Sequence, residues 1–193
     1  MRVIHLHPAN HAGYYPGATQ LHMKLVVDAE TDAILGAQIV GKDGVDKRID
    51  VIATAMRAGL KARDLADLEL AYAPQFGSAK DPINFAGFID DNIVQGERTV
   101  QWHELSEHLE AGTLLVDVRS ASEFAAGAIP GAINIPLDEL RARHAEIAGH
   151  KDVIVHCQVG LRGHNAARIL TNLGYDVANL DGGYLTWQHG KAA

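Results

Sequence analysis

The sequence has a single cysteine, Cys157, among its 193 residues. An intrachain disulfide is excluded, and the thiol is either buried filler or a reactive group. No apolar run approaches the roughly 20 residues needed to span a bilayer. The polar start Met1-Arg2-Val3-Ile4-His5 lacks the pattern of a secretory leader, so the expectation is a cytoplasmic protein with no membrane partner. A concentrated basic surface is also missing: 17 Lys and Arg stand against 24 Asp and Glu, a formal charge of −7. Phosphate neutralisation needs the opposite balance, so nucleic acid is not an expected partner. There is no internal repeat, low-complexity tract or Gly/Ser linker. What is present, 47% hydrophobic and 21% charged residues, is an ordinary globular composition with room for two small domains.

Leu21–Val27 and Ala33–Val40 are apolar, β-rich runs joined by the polar residues 28–32, the pattern of an antiparallel hairpin. Val45, Ile49, Ile52, Ala53 and Met56 recur on one helical face over Asp46–Ala58, and Gly59 follows as a stop. A short helix is predicted over Ala62–Leu68 and a longer one over Asp81–Gln95, with Pro82 near its start. Residues 1–96 therefore read as a small α+β domain, an antiparallel sheet plus helices.

After Gly96 the pattern changes. Thr99–Leu109 reads as a strand running into a short helix, and Leu114–Val118, Ile133–Ile135, Val153–His156 and Asp176–Leu180 as strands. Helical sequence at Leu137–Ile147 and Arg162–Leu173 alternates with them. The alternation predicts an α/β domain over residues 97–193, with a central parallel sheet and helices on both faces. Ligands in such folds bind beyond the carboxyl ends of the strands, where Cys157 lies.

Cys157-Gln158-Val159-Gly160-Leu161 is a short loop between a strand and a helix opened by Arg162. Such a loop can aim backbone N–H groups at the sulfur, with the positive end of the helix behind them. These features stabilise a thiolate or persulfide without a metal. The spacing Cys-x4-Arg is one residue shorter than the Cys-x5-Arg cradle of cysteine phosphatases, and no acidic residue in the loop could serve as general acid for an alkoxide leaving group. Sulfur chemistry is therefore favoured over phosphate chemistry. The candidate site is Cys157 as nucleophile, with Gln158, Val159, Gly160, Leu161, Arg162 and Gly163 around the incoming group. Asp117, Arg119 and Glu123 read as structural, Gly182, Gly183 and Trp187 as turn and packing residues, and His156 as pointing into the scaffold.

Leu115-Val116-Asp117-Val118-Arg119, Glu123-Phe124, Gly127-Ala128-Ile129-Pro130-Gly131-Ala132, Asn134-Ile135-Pro136, the Cys157–Arg162 loop and Asp181-Gly182-Gly183-Tyr184 with Trp187 resemble, in this order, a single-domain rhodanese. The resemblance implies the α/β rhodanese fold. It also implies a sulfurtransferase in which Cys157 takes sulfane sulfur from a small donor and passes it to an acceptor thiol or cyanide. Arg162 matches the loop arginine that attracts the anionic donor.

In the first half, His5, His7 and His11 suggest a metal only weakly, since no cysteine or carboxylate cluster completes a site, and no metal is expected. Tyr14-Tyr15-Pro16-Gly17, Leu35-Gly36-Ala37-Gln38-Ile39-Val40-Gly41, the 46–59 helix, Leu65 to Leu70 and Tyr72-Ala73-Pro74-Gln75-Phe76-Gly77-Ser78-Ala79-Lys80-Asp81-Pro82 resemble another family. It is the carboxyl-terminal dimerisation domain of the pyridine-nucleotide disulfide oxidoreductases, in the coenzyme A-disulfide reductase and NADH oxidase branch. Some reductases of that branch carry a rhodanese domain at the carboxyl end, the order found here. The resemblance implies a homodimer formed through residues 1–96. It implies FAD, NAD(P)H and coenzyme A in a full-length parent, where Tyr14 and Tyr72 match tyrosines that reach the coenzyme A site across the dimer. The sequence departs from those reductases in two ways. No Gly-x-Gly-x-x-Gly follows a strand, and the only cysteine belongs to the rhodanese loop. This chain alone is expected to bind no FAD or NAD(P)H and not to oxidise NADH. It is either part of a longer enzyme or a two-domain protein without the catalytic front. The alternative to an enzyme is a non-catalytic dimerisation or sulfur-sensing module.

Overall fold

In the computed structural model, which describes residues 1–150 and 152–192, the chain divides into two units, Met1–Gly96 and Glu97–Ala193. The first is built on an antiparallel sheet of β1 (Arg2–Leu6), β2 (His22–Val27) and β3 (Ile34–Val40), in the order β1-β2-β3. Successive side chains of a strand face opposite ways. Met23, Leu25 and Val27 thus point together from β2 and meet Ile4 and Leu6 of β1 in the core. The sequence signal for β1 was weak because only those two of its five residues are buried. Asp28 shapes the β2–β3 link by accepting the N–H groups of Glu30 and Thr31.

Helix α1 (Val45–Ala58) lays Ile52 and Ala55 on this core and ends at Gly59, whose φ of 74° forms a left-handed cap. The helix predicted over 62–68 is a 3-10 turn over Ala62–Asp67. Helix α2 (Pro82–Val94) starts at Asp81, whose carboxylate accepts the Ile83 N–H while Asn84 takes the Asp81 N–H. Arg48, buried on α1, donates to Asp81 and to the carbonyls of Asn10 and Gly44. That charge pair locks α1, α2 and the chain after β1 together; removing one partner of such a pair costs about 3–5 kcal/mol.

The second unit alternates strands and helices: β4 (Arg98–Val100), α3 (Leu105–Glu110), β5 (Leu114–Asp117), α4 (Ala121–Ala125), β6 (Ile133–Asn134), α5 (Leu140–Arg143), β7 (Asp152–His156), α6 (Leu161–Asn172), β8 (Asp176–Leu180) and α7 (Gly183–Lys191). Its five strands are all parallel, in the order β4-β8-β7-β5-β6. The two faces carry separate cores. Val116, Val153 and Val155 pack with Leu140, Ala166 and Leu170, while Leu115 and Ile154 pack with Leu105, Ile129 and Trp187. Burial on both faces explains why these strands read as continuous apolar runs.

The long helix expected over 137–147 is the short α5 followed by a 3-10 turn at His144–Ile147. Two helices, α4 and α7, were not expected. The second is hidden in the sequence because Gly182 and Gly183, which usually stop a helix, here start one at φ 65°. The chain leaves β5 to build β6 on one side and returns to build β7 on the other. The loops after β5 and β7 therefore meet at the carboxyl edge, the place where such sheets open a crevice. Among the described residues no helix is long and apolar enough to cross a membrane.

Candidate active site

Cys157 follows β7 at that edge and is 1% exposed. The Gly160 N–H donates to its Sγ at 3.2 Å. Gly160 can do so because its φ of 101° folds the loop back on itself at the start of α6. Helix α7 fixes the far side of the loop. The Tyr184 N–H donates to the Cys157 carbonyl at 2.8 Å and the Leu185 N–H to the Gln158 carbonyl at 3.0 Å. Carbonyl and N–H point opposite ways across a trans peptide, so these bonds turn the Gln158 and Val159 amides away from α7. The Gly160 carbonyl is taken by His164 N–H and by the Asn179 carboxamide of β8. Gln158 and Val159 are half-buried, and Leu161 is exposed. Gly163 is buried in the first turn of α6, where a Cβ would lie 2.2 Å from Asn179 Oδ1. Gly183, read as a turn and packing residue, lies directly against this loop: a Cβ on it would stand 2.5 Å from the Cys157 carbonyl oxygen.

Arg119 and Glu123, read as structural, reach the loop from the β5 side. The buried Arg119 donates to both oxygens of Asp117, to the Gly127 carbonyl and, at 3.2 Å, to Gln158 Oε1. Its guanidinium carbon lies 4.2 Å from the Tyr184 ring centroid, which ties Arg119 to α7 as well. Glu123 is set by a reciprocal cap at the start of α4: it takes the Ser120 N–H while Ser120 Oγ accepts its own N–H. From there its two oxygens receive Arg162 at 2.6 and 2.8 Å. This pairing, then the Ser120 bonds, holds the Glu123 carboxyl down to about 2. The Arg162 guanidinium is raised above its ordinary value, first by Glu123 and then, in the same direction, by the Cys157 sulfur close by. Arg162, expected to attract the anionic donor, stands in an ion pair with Glu123. The sequence signal that could have exposed this is the capping box Ser120-x-x-Glu123.

His156 is fully buried, with Nε2 lacking a hydrogen-bond partner 3.6 Å from Asp117 Oδ2. Burial pushes its imidazole down to about 4, against a smaller upward pull from Asp117. It is neutral at pH 7 and points into the scaffold.

In the first unit the Tyr14 and Tyr72 hydroxyls, 58 positions apart in sequence, meet at 2.8 Å. The two side chains are 76% and 49% exposed, and the bond to Tyr14 raises the Tyr72 phenol above its ordinary value. His7 Nδ1 lies 2.8 Å from His22 Nδ1, and His11 Nδ1 bonds the Ala12 carbonyl. Among the described residues no three His, Cys, Asp or Glu side chains are grouped to hold a metal ion.

A parallel α/β unit with a cysteine loop at its carboxyl edge, following an antiparallel α+β unit in the sequence, agrees with two family models. Residues 101–189 match the rhodanese-like domain, and residues 1–81 match the pyridine nucleotide-disulphide oxidoreductase dimerisation domain. The chain joins a member of each of these domain families. Among solved structures it is similar to reduced Bacillus anthracis CoADR-RHD, at 51% identity and a TM-score of 0.94 over 96% of this chain and 34% of that one. It is also similar to a NAD-dependent persulfide reductase from A. fulgidus, at 37% identity and a TM-score of 0.86 over the same shares. A coenzyme A disulfide reductase of Staphylococcus haemolyticus is 42% identical over 87 residues, 45% of this chain and 20% of that protein. The chain thus spans about a fifth of that curated relative and about a third of the chains in the two solved structures.

Proposed function

We propose that the chain is a rhodanese-type sulfurtransferase in which Cys157 carries sulfane sulfur as a persulfide. In this reading residues 97–193 are the sulfur-carrying domain and residues 1–96 pair with a second copy in a cytoplasmic homodimer. The Cys157 thiolate attacks the outer sulfur of a donor such as thiosulfate. A sulfur–sulfur bond forms to Cys157 as the donor's own sulfur–sulfur bond breaks, its electron pair leaving on sulfite. The persulfide Cys157–S–S⁻ then yields its terminal sulfur to an acceptor thiolate, or to cyanide as thiocyanate, and the Cys157 thiolate returns. Gln158, Val159, Gly160, Leu161, Arg162 and Gly163 surround or support this sulfur. No step needs a metal or an oxidant.

The observation that carries this reading is the Gly160 N–H donated to Sγ in a loop whose Cys157 and Gln158 carbonyls are drawn off onto α7. Amide donors at a helix start stabilise an anion with no competing cation chemistry. The test is thiosulfate:cyanide sulfurtransfer by the intact chain and by Cys157→Ala, with intact mass after thiosulfate alone. The expected results are thiocyanate production lost in Cys157→Ala and a one-sulfur gain of about 32 Da that the variant lacks. Equal rates in the two proteins would dispose of the reading.

The pairing of Tyr14 with Tyr72 supports a second, linked role. In a full-length coenzyme A-disulfide or polysulfide reductase bearing this tail, the two phenols contact the coenzyme A of the partner subunit. FAD and NAD(P)H would bind to the preceding part of that enzyme.

A further inference from the structure

Both guanidinium groups at the sulfur loop are ion-paired. Arg119 lies on Asp117, and Arg162 is gripped by both oxygens of Glu123. Two arginines and two carboxylates leave no formal charge among the four, and His156 beside them is neutral at pH 7. An anion at the sulfur meets the Gly160 amide, the start of the 12-residue α6 and an Arg162 guanidinium whose charge Glu123 balances. That field is dipolar. It serves a negative charge at the sulfur itself and fades within about a turn of the helix end, so a second negative charge on the same donor group finds no uncompensated cation, because the Glu123 carboxylate already balances Arg162.

We propose that Glu123 is a specificity-determining residue: it balances the charge of Arg162 beside the loop and so selects singly charged sulfane donors, the thiosulfonates and thiol persulfides, over the thiosulfate dianion. This deepens the reading of Cys157 as sulfur carrier and rests on it.

Methanethiosulfonate and thiosulfate test the inference because they differ chiefly by a methyl group in place of one charged oxygen. With either, the donor's sulfur–sulfur bond breaks as the bond to Cys157 forms, and methanesulfinate or sulfite leaves with the electron pair. Cyanide then removes the outer sulfur as thiocyanate. The quantity read is the ratio of kcat/KM for methanethiosulfonate to kcat/KM for thiosulfate, with the full chain. Glu123→Gln removes the charge, and glutamine still serves the capping box that starts α4; Glu123→Asp keeps the charge.

The wild-type ratio is expected to exceed one, to fall roughly tenfold in Glu123→Gln, as for loss of one like charge at a half-buried site, and to stay within about twofold in Glu123→Asp. An unchanged ratio in Glu123→Gln, or equal shifts in both variants, overturns the proposal. Should Glu123→Gln not fold, the wild-type ratio against ionic strength decides. Screening is expected to lower it, because repulsion of the dianion weakens, and a flat or rising ratio overturns the proposal. Failure of the underlying reading looks different: Cys157→Ala would then transfer sulfur from both donors as fast as the wild type.

Discussion

Gly183→Ala is the substitution that asks most directly whether α7 shapes the sulfur loop. Gly183 opens α7 at φ 65°, where the left-handed backbone alone costs an alanine about 1 kcal/mol. The new Cβ would also lie 2.5 Å from the Cys157 carbonyl oxygen and 3.0 Å from Gln158 C and Gly160 N. All three are backbone atoms, so no rotamer change relieves the overlap. Helix α7 must withdraw, and the bonds from Tyr184 and Leu185 to the loop carbonyls break, each worth about 1 kcal/mol. The expected loss is about 3 kcal/mol, read as a shift in the urea midpoint by circular dichroism. Gly131→Ala is the matched control: its φ is 85° and no atom lies within 4 Å of the added Cβ, so it should lose only the conformational part, about 1 kcal/mol. Sulfurtransfer should fall at least tenfold in Gly183→Ala alone, since loss of aim at a reacting centre is costly. Equal destabilisation of the two variants, with Gly183→Ala still active, would refute the claim that α7 positions the loop.

Acid sensitivity follows from His156. Its imidazole accepts a proton near the ordinary 6.5 when unfolded but only at about 4 in the native protein. Below pH 6.5 the unfolded chain binds the proton first, so its stabilising contribution is complete above that pH. It is lost as pH falls toward 4, by on the order of 3 kcal/mol. Urea midpoints from pH 7 down to 4 should show the decline, and His156→Asn should flatten it; parallel curves would rule His156 out. Tyr14→Phe removes the bond that raises the Tyr72 phenol, so Tyr72 should ionise closer to the ordinary tyrosine value in an ultraviolet titration, and an unmoved curve would contradict the pairing. In a full-length reductase bearing this tail, the same change should raise KM for the coenzyme A substrate several-fold.

The sequence displayed those elements whose signal is local. β2 alternates inward residues at every second position, β5 and β7 are apolar because two cores cover them, and α1 announces its end with Gly59. The strand, loop and helix around Cys157 were legible for the same reason. Interactions that decide the charge of the site were not. Arg119 reaches Gln158, and Glu123 reaches Arg162, each across 39 positions, and only the return of the chain to β7 beside β5 makes them neighbours. A glycine pair starting α7 was misleading because sequence reasoning takes glycine as a helix stop, whereas here the small residue permits close approach to the loop. The tyrosine blocks could be singled out by resemblance, but no spacing rule says that two hydroxyls 58 residues apart will touch.

Placing the chain's one thiol at the closed end of a central strand also governs its covalent company. A disulfide between two copies would require their cysteine Cα atoms to come within about 4.4–6.8 Å. A residue 1% exposed behind its own loop cannot make that approach while the loop stays folded. Small reagents carrying a slender sulfur tip can enter where a second protein cannot, so oxidising conditions should not staple the molecules together through this position.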